Sequence, residues 1–294
     1  MTMLNFAANL SMLFTELRFM DRFAAAAKAD FAGVEYLFPY DYEKAELADR
    51  LHAHGLRQVL FNLPAGKWDA GERGIACHPD RVDEFRAGVE VAIDYAIALG
   101  APQINCLAGI SPLDVPQAAA RETLVANLRF AADRLEQIGV GLLLEPINTY
   151  DIPGFFVSRS EAAIGIIRDT GSENIKLQYD IYHMQRMEGE LANTLSKLFS
   201  AIGHIQLADN PGRNEPGTGE INYPFLIKHL QMIEYSGWIG CEYRPKADTV
   251  RGLDWLASAR TQAHAKWEKK HEGGVRRPRH HGRADGRPFD QGRS

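Results

Sequence analysis

Residues 141–180 read GLLLEPINTYDIPGFFVSRSEAAIGIIRDTGSENIKLQYD. Two short apolar runs, 141–145 and 176–180, each end in a carboxylate, Glu145 and Asp180. Between them lies an amphipathic segment, 160–169, followed by Gly171. A short apolar run suits a strand buried on both faces, and a 3.6-period segment closed by glycine suits a helix. Strand, helix and next strand in that order make one parallel unit with a right-handed crossover.

Working outward, the unit recurs. Strands are predicted at 6–9, 33–37, 58–62, 103–107, 141–145, 176–180, 204–207 and 239–242. Helices are predicted at 19–29, 44–54, 82–99, 118–138, 160–169, 192–201, 223–235 and 252–269. Gly55, Gly100, Gly139, Gly171 and Gly203 stand where helices would end in a left-handed cap. Eight strand–helix units in about 250 residues predict one closed (β/α)8 barrel. An open doubly wound sheet would carry a glycine-rich phosphate turn after its first strand. Here that strand runs instead into Leu10, Ser11 and Met12.

The barrel is expected over residues 1–270, followed by a basic low-complexity tail, 271–294, HEGGVRRPRHHGRADGRPFDQGRS. Residues 265–294 hold nine Lys/Arg and four Asp/Glu, so this end carries +5 and the rest −10 of the net −5. The tail lacks apolar periodicity and cannot bury enough surface to offset its ordering entropy, so it is expected to be disordered. The acidic barrel gives no electrostatic case for nucleic acid. No run approaches the ~18 apolar residues of a membrane span, and the start lacks a signal-peptide pattern. Cys77, Cys106 and Cys241 are odd in number and widely spaced, as expected of reduced thiols in a cytoplasmic protein. Cys106 and Cys241 fall within strands and read as core thiols. No P-loop or dinucleotide fingerprint is present, so no nucleotide or organic cofactor is expected.

Barrel chemistry sits at the C-terminal strand ends. There the sequence offers Glu145, Asp180 with His183 behind it, Gln206 and Asp209, and Glu242. Three carboxylates closing neighbouring apolar strands would repel one another unless a cation or shared protons intervene. Two compatible readings follow. Glu145, Asp180, Gln206 and Glu242 could hold one divalent cation through hard oxygens, a set suited to Mg2+ or Mn2+. Alternatively, Glu145 and Glu242 face each other across a substrate as base and acid. His183 could donate to a substrate oxygen, whereas His204 opens its strand at the far end and reads as structural. The long 63–80 loop brings Lys67, Trp68, Glu72 and Arg73 as a candidate lid. Its Lys67 and Arg73 could meet a carboxylate, as could Arg213 in the 209–221 loop.

Read together, FAANLSMLF, GVEYLFPYDY, FNLPAGKW with GERGIAC, INCLAG, EPINTYDIPGF, QYDIYHMQRMEGEL, ADNPGRNEPGTGEINY and GWIGCEYRP resemble the hydroxypyruvate isomerase family over about residues 3–256. Its wider superfamily of TIM barrels includes xylose isomerase, tagatose/psicose 3-epimerases and endonuclease IV. The resemblance implies interconversion of hydroxypyruvate and 2-hydroxy-3-oxopropanoate, with Glu145 and Glu242 as the proton donor/acceptor pair. It implies a substrate-contacting His183; Asn62, Lys67, Trp68 and Arg213 are expected as further substrate-binding residues. The related epimerases bind a divalent metal through Glu, Asp, His and Glu; Gln206 stands here where they have the His. Phe61 also departs, where a His is expected. Isomerisation of 2-oxo-tetronate is the near alternative, and a non-catalytic sugar-acid-binding barrel the remote one. An endonuclease IV-like activity would need a His-rich trinuclear zinc site and a basic face. The expected partner is a small hydroxy-keto acid, with neither nucleic acid nor membrane; the homo-oligomeric state stays open.

Because the tail has no apolar face to dock, deleting residues 271–294 should leave the calorimetric melting temperature and the isomerase rate unchanged. A marked drop in either would show that the tail packs on the barrel.

Overall fold

The computed structural model describes residues 3–257 and 259. All eight expected strands form: β1 (Asn5–Asn9), β2 (Gly33–Glu35), β3 (Arg57–Leu60), β4 (Gln103–Cys106), β5 (Gly141–Leu144), β6 (Ile175–Asp180), β7 (Ile202–Leu207) and β8 (Trp238–Cys241). Every pairing is parallel, in the order β3-β2-β1-β8-β7-β6-β5-β4. The remaining seam, β3 to β4, closes through a short parallel bridge between Asn62 and Asn105. There the Leu63 amide donates to the Asn105 carbonyl at 2.8 Å, and the Asn105 amide to the Phe61 carbonyl at 3.0 Å. The sheet is therefore a closed barrel.

Outside it lie α1 (Phe19–Lys28), α2 (Lys44–Ala53), α3 (Val82–Leu99), α4 (Gln117–Glu136), α5 (Ser160–Thr170), α6 (Ile181–Met187), α7 (Leu191–Lys197) and α8 (Tyr223–Met232). Their buried faces pack on the outer face of the sheet in one continuous apolar cluster. Gly100 and Gly171 end α3 and α5 with φ of 63° and 69°, a left-handed turn that a β-carbon disfavours.

Three expectations change. Gly203 caps no helix; it lies inside β7, and a β-carbon there would sit 2.7 Å from Leu143 Cδ2. The expected 192–201 helix is α7 followed by a 3-10 turn, Phe199–Ala201. Before it comes the unexpected α6, separated by the left-handed pair Gly189 (φ 64°) and Glu190 (φ 47°). Its seven residues are too few to show periodicity. Of the last expected helix, 252–269, the described part opens with the 3-10 turn Arg251–Leu253 and turns helical at 254–257. The 271–294 tail lies outside the described residues. Among the described residues, no helix is long and apolar enough to cross a membrane.

The barrel interior is divided. A small apolar cluster of Ala7, Val59, Leu60 and Leu143, from β1, β3 and β5, packs with Trp238 of β8. Above it Glu35, His204, Gln178 and Gln206 form a buried polar layer joined by hydrogen bonds. Gly240 on β8 lies flush against this layer, and a β-carbon there would overlap the Glu35 carboxylate. Gly240→Ala should therefore lower stability by about 1–3 kcal/mol, the usual cost of overpacking. Urea unfolding measures it, and an unchanged midpoint would reject the packing argument.

Candidate active site

The polar layer opens upward into a cavity of about 850 Å3 at the C-terminal strand ends. Glu145 follows β5, Asp180 ends β6, and Glu242 follows β8. His183 is the third residue of α6, which Asp180 caps: its Oδ1 accepts from the Tyr182 amide at 2.8 Å. Glu145, Asp180, His183 and Glu242 are all buried, and each offers one atom within 4.8 Å of the others. The three carboxylates expected at strand ends thus share one site.

Each glutamate is held by an asparagine. Asn105 Nδ2 donates to Glu145 Oε2 at 3.0 Å, and Asn9 Nδ2 to Glu242 Oε1 at 3.3 Å. Arg213 supplies the counter-charge: its Nη2 lies 2.6 Å from Glu242 Oε2 and 3.8 Å from Asp180 Oδ2. Burial, with repulsion from Glu242 and Asp180, raises the Glu145 carboxyl well above the ordinary range. Burial pushes Glu242 up to about 8 against the pull of Arg213, and Asp180 up to about 6. Groups raised this way can carry protons near neutral pH.

The state of His183 is set by its neighbours. Asn148 Nδ2 lies 2.6 Å from His183 Nδ1, and the Asn148 backbone amide points at the same nitrogen from 3.5 Å. Asn148 cannot be turned over, because its Oδ1 already accepts from the amides of Tyr150 and Asp151. Nδ1 is therefore the acceptor, and the proton sits on Nε2. Burial and the nearby Arg213 hold the imidazole pKa well below its usual value, so the ring is neutral. Its Nε2–H faces Asp180 Oδ2 at 3.5 Å and Glu145 Oε1 at 3.8 Å, with Arg213 Nη2 beside it at 3.5 Å. A ring nitrogen that carries the proton cannot ligate a cation, so His183 is placed as a hydrogen-bond donor to the cavity.

The donor set for a metal is then three hard carboxylates. Asp180 Oδ2 is buried without a hydrogen-bond partner among the described residues, a lone pair facing the same space. That chemistry fits a hard divalent cation. Gln206, expected as a fourth ligand, is engaged elsewhere. Its Nε2 donates to Glu35 Oε1 at 2.8 Å and its Oε1 accepts from Gln178 at 2.6 Å. His204, expected to open its strand at the far end, is instead the third residue of β7 and lies within the barrel, 2.8 Å from Glu35 Oε2.

The lid residues divide. Trp68 lines the cavity, packed edge-on to Phe38, and the Arg73 guanidinium lies over its ring at 4.1 Å. Lys67 is exposed and does not line the cavity, because its loop turns there to bring its amide onto Glu72. Asn62 lines the cavity and accepts from Asn105 at 3.1 Å. Arg186 and Arg244 line the mouth as well. Asp209 makes no contact with the cluster. Its carboxylate gathers the amides of Asn210, Gly217, Gly219 and Ile221 and so shapes the loop that presents Arg213. Sequence reasoning missed Asn9, Glu35, Asn105, Asn148 and Gln178. Only Glu35 carried a signal, a charge inside the otherwise apolar GVEYLF.

Residues 23–259 match the family model described as a xylose isomerase-like TIM barrel. The chain belongs to that family. It is 54% identical over 254 residues to hydroxypyruvate isomerase of Escherichia coli, covering 86% of this chain and 98% of the relative. It is 49% identical over 251 residues to 2-oxo-tetronate isomerase of Cupriavidus necator, covering 85% and 96%. Among solved structures, a family 2 AP endonuclease from Brucella melitensis matches with a TM-score of 0.85 and 44% identity, over 87% of this chain and 99% of that one. An L-ribulose 3-epimerase, at 20% identity and a TM-score of 0.74, shares the fold. The resemblance expected from the strand-end strings is shown for this family member.

Arg213 is the cation that reaches both Glu242 and Asp180 in this family member. Arg213→Met should cost about 1–3 kcal/mol in EDTA-treated protein, discounting the value for a fully buried pair because the side chain is 18% exposed. The sign with pH follows from the raised carboxyl pKa values. The folded state binds protons that the unfolded chain releases, so the deficit narrows as pH falls from about 8. Thermal unfolding across that range checks it; a deficit that widens on acidification would reject the role.

Proposed function

We infer that this chain interconverts hydroxypyruvate and 2-hydroxy-3-oxopropanoate. The observation that carries the reading is the polarity of the cavity. Its floor holds the carboxylates of Glu145, Asp180 and Glu242, and its walls and mouth hold Arg73, Arg186 and Arg244. A substrate with a carboxylate at one end and a hydroxy-carbonyl pair at the other matches both ends. Identity of 54% to a hydroxypyruvate isomerase supports the same substrate.

One glutamate takes a proton from C3 of hydroxypyruvate, leaving an ene-diolate. A proton returns to C2 from either glutamate, and the O3 proton moves to O2. His183, with its proton on Nε2, donates to the substrate oxygens and can relay that transfer. General acid–base catalysis supplies only ~10^2–10^4-fold, so donors aimed at the ene-diolate oxygens must supply the rest. Glu145, Asp180 and Glu242 would hold Mg2+ or Mn2+, which when bound polarises the substrate carbonyl. Trp68 and Arg73 cover the pocket from the lid and limit water. The three cysteines are buried, which fits a reducing compartment, the cytoplasm.

A second reading, isomerisation of the four-carbon 2-oxo-tetronate, is favoured by the cavity's room beyond a three-carbon acid and by the 49% identical relative. Steady-state assays on both acids decide between them: the true substrate should have the larger kcat/KM, and turnover of neither rejects the isomerase reading. Glu145→Gln and Glu242→Gln should each lower kcat by ~10^2-fold or more. A variant keeping above about a tenth of the rate would remove that residue from the proton-transfer pair. If a cation is required, EDTA abolishes the rate, Mn2+ restores it, and Asp180→Asn raises the Mn2+ needed. Indifference to both reagents, with no metal found by elemental analysis, would reject the cation and leave the glutamate pair standing.

A further inference from the structure

At the inner end of the cavity, Glu35 is a buried lining carboxylate that the reaction does not use. Glu35 on β2 is 1% exposed. Its Oε1 accepts from Asn9 Nδ2 at 3.0 Å and from Gln206 Nε2 at 2.8 Å, and its Oε2 from His204 Nε2 at 2.8 Å. Burying a carboxylate is costly unless its lone pairs are satisfied. Here β1 and β7 deliver three donors to one side chain, and β8 keeps Gly240 bare to admit it.

Asn9 connects this layer to the site above. Its Oδ1 accepts from the Ser11 amide at 3.1 Å, which fixes which end of the amide is nitrogen. Its two N–H groups are then divided between Glu35 Oε1 and Glu242 Oε1. Turning Asn9 over would set its oxygen against both carboxylates and lose the Ser11 bond. Glu242 Oε2 is held separately by Arg213, so the two oxygens of this glutamate are aimed by two different neighbours.

We propose that Glu35, acting through Asn9, is a positioning residue that aims the Glu242 carboxylate into the cavity. The proposal rests on the functional reading above for its kinetic consequence, not for its geometry. Glu35→Gln keeps the shape but places an NH2 where an acceptor stood. Turned towards Asn9 and Gln206, that NH2 meets two donors. Turned towards His204, it meets the Nε2–H, and moving that proton to Nδ1 places it on a buried nitrogen with no partner among the described residues. No orientation satisfies all three donors.

The test takes Glu35→Gln and, since a buried charge substitution can fail to fold, also Asn9→Leu, which removes the bridge and leaves Glu35 with two donors. Each should lower kcat roughly 10- to 100-fold with KM within about twofold, the scale of loss when a supporting hydrogen bond or about 1 Å of alignment is removed. Crystal structures of the variants should show the Glu242 carboxylate rotated or displaced from its wild-type position. A merely structural layer predicts the opposite: a lower melting temperature with kcat unchanged and Glu242 in place. That result in either folded variant overturns the proposal. If the wild type turns over neither acid, the functional reading fails and the crystal structures alone decide, with an unmoved Glu242 rejecting the positioning role.

Discussion

Three carboxylates within 4.8 Å of one another, all buried, set the constraint that the rest of the site answers. Glu145, Asp180 and Glu242 arrive there because β5, β6 and β8 each finish an apolar run with an acid. In water such groups would be solvated and ionised; at the mouth of a barrel their charges repel through a low dielectric. The fold meets this in three ways. Burial raises their proton affinity, Arg213 is inserted among them, and asparagine amides are spent on the glutamate oxygens. Arg213 adopts a left-handed φ of 53°, uncommon for a residue with a side chain. The loop that imposes it is shaped by Asp209 and tied to the β8 loop, where the Arg244 amide donates to the Arg213 carbonyl at 2.8 Å. Strain of this kind at a site is sustained only by surroundings that over-determine it.

The architecture was legible because parallel barrel strands are buried on both faces and read as bare apolar runs. The acids that end them stand out against that background, which is how Glu145, Asp180 and Glu242 could be named from the chain. Strand ends agree with expectation to within two residues, and α6 was missed because it is too short to show a period. Gly203 misled for a related reason. Glycine after a helix is a capping signal, but a glycine inside a barrel strand can equally make room for a neighbour such as Leu143.

What stayed hidden is the polar layer that supports the acids. Its members come from β1, β2, β6 and β7, far apart in sequence, and an amide such as Asn9 or Asn105 carries no mark of its partner. Gln206 shows the limit of strand-end reasoning. Its place at a strand end follows the same rule as Asp180, with which it pairs in register. Strand alternation, however, turns His204 and Gln206 to the same face, and on that face Glu35 claims both. The sequence places a residue on a face; which neighbour it meets there depends on barrel closure.

Polarity then organises the cavity as a whole. The acids and their amides form a floor that favours proton-carrying carboxyls, and the arginines at the walls and mouth favour an anion. Between them His183 is kept neutral, with its proton fixed on Nε2 by Asn148. These features are coupled. A charged His183 would cancel the field that raises the glutamates, and a ring with the other tautomer would compete for a cation instead of donating to substrate. Fixing one asparagine therefore settles both the charge balance of the floor and the role of the histidine. The same device recurs at Glu145 and Glu242, each held through one oxygen by an asparagine. At Glu145 the opposite oxygen is left facing the cavity, and at Glu242 it is shared with Arg213. An acid and a base that must exchange roles as a proton crosses from one carbon to the next need this difference in environment, because two identically placed carboxylates would not be distinguished by the substrate between them.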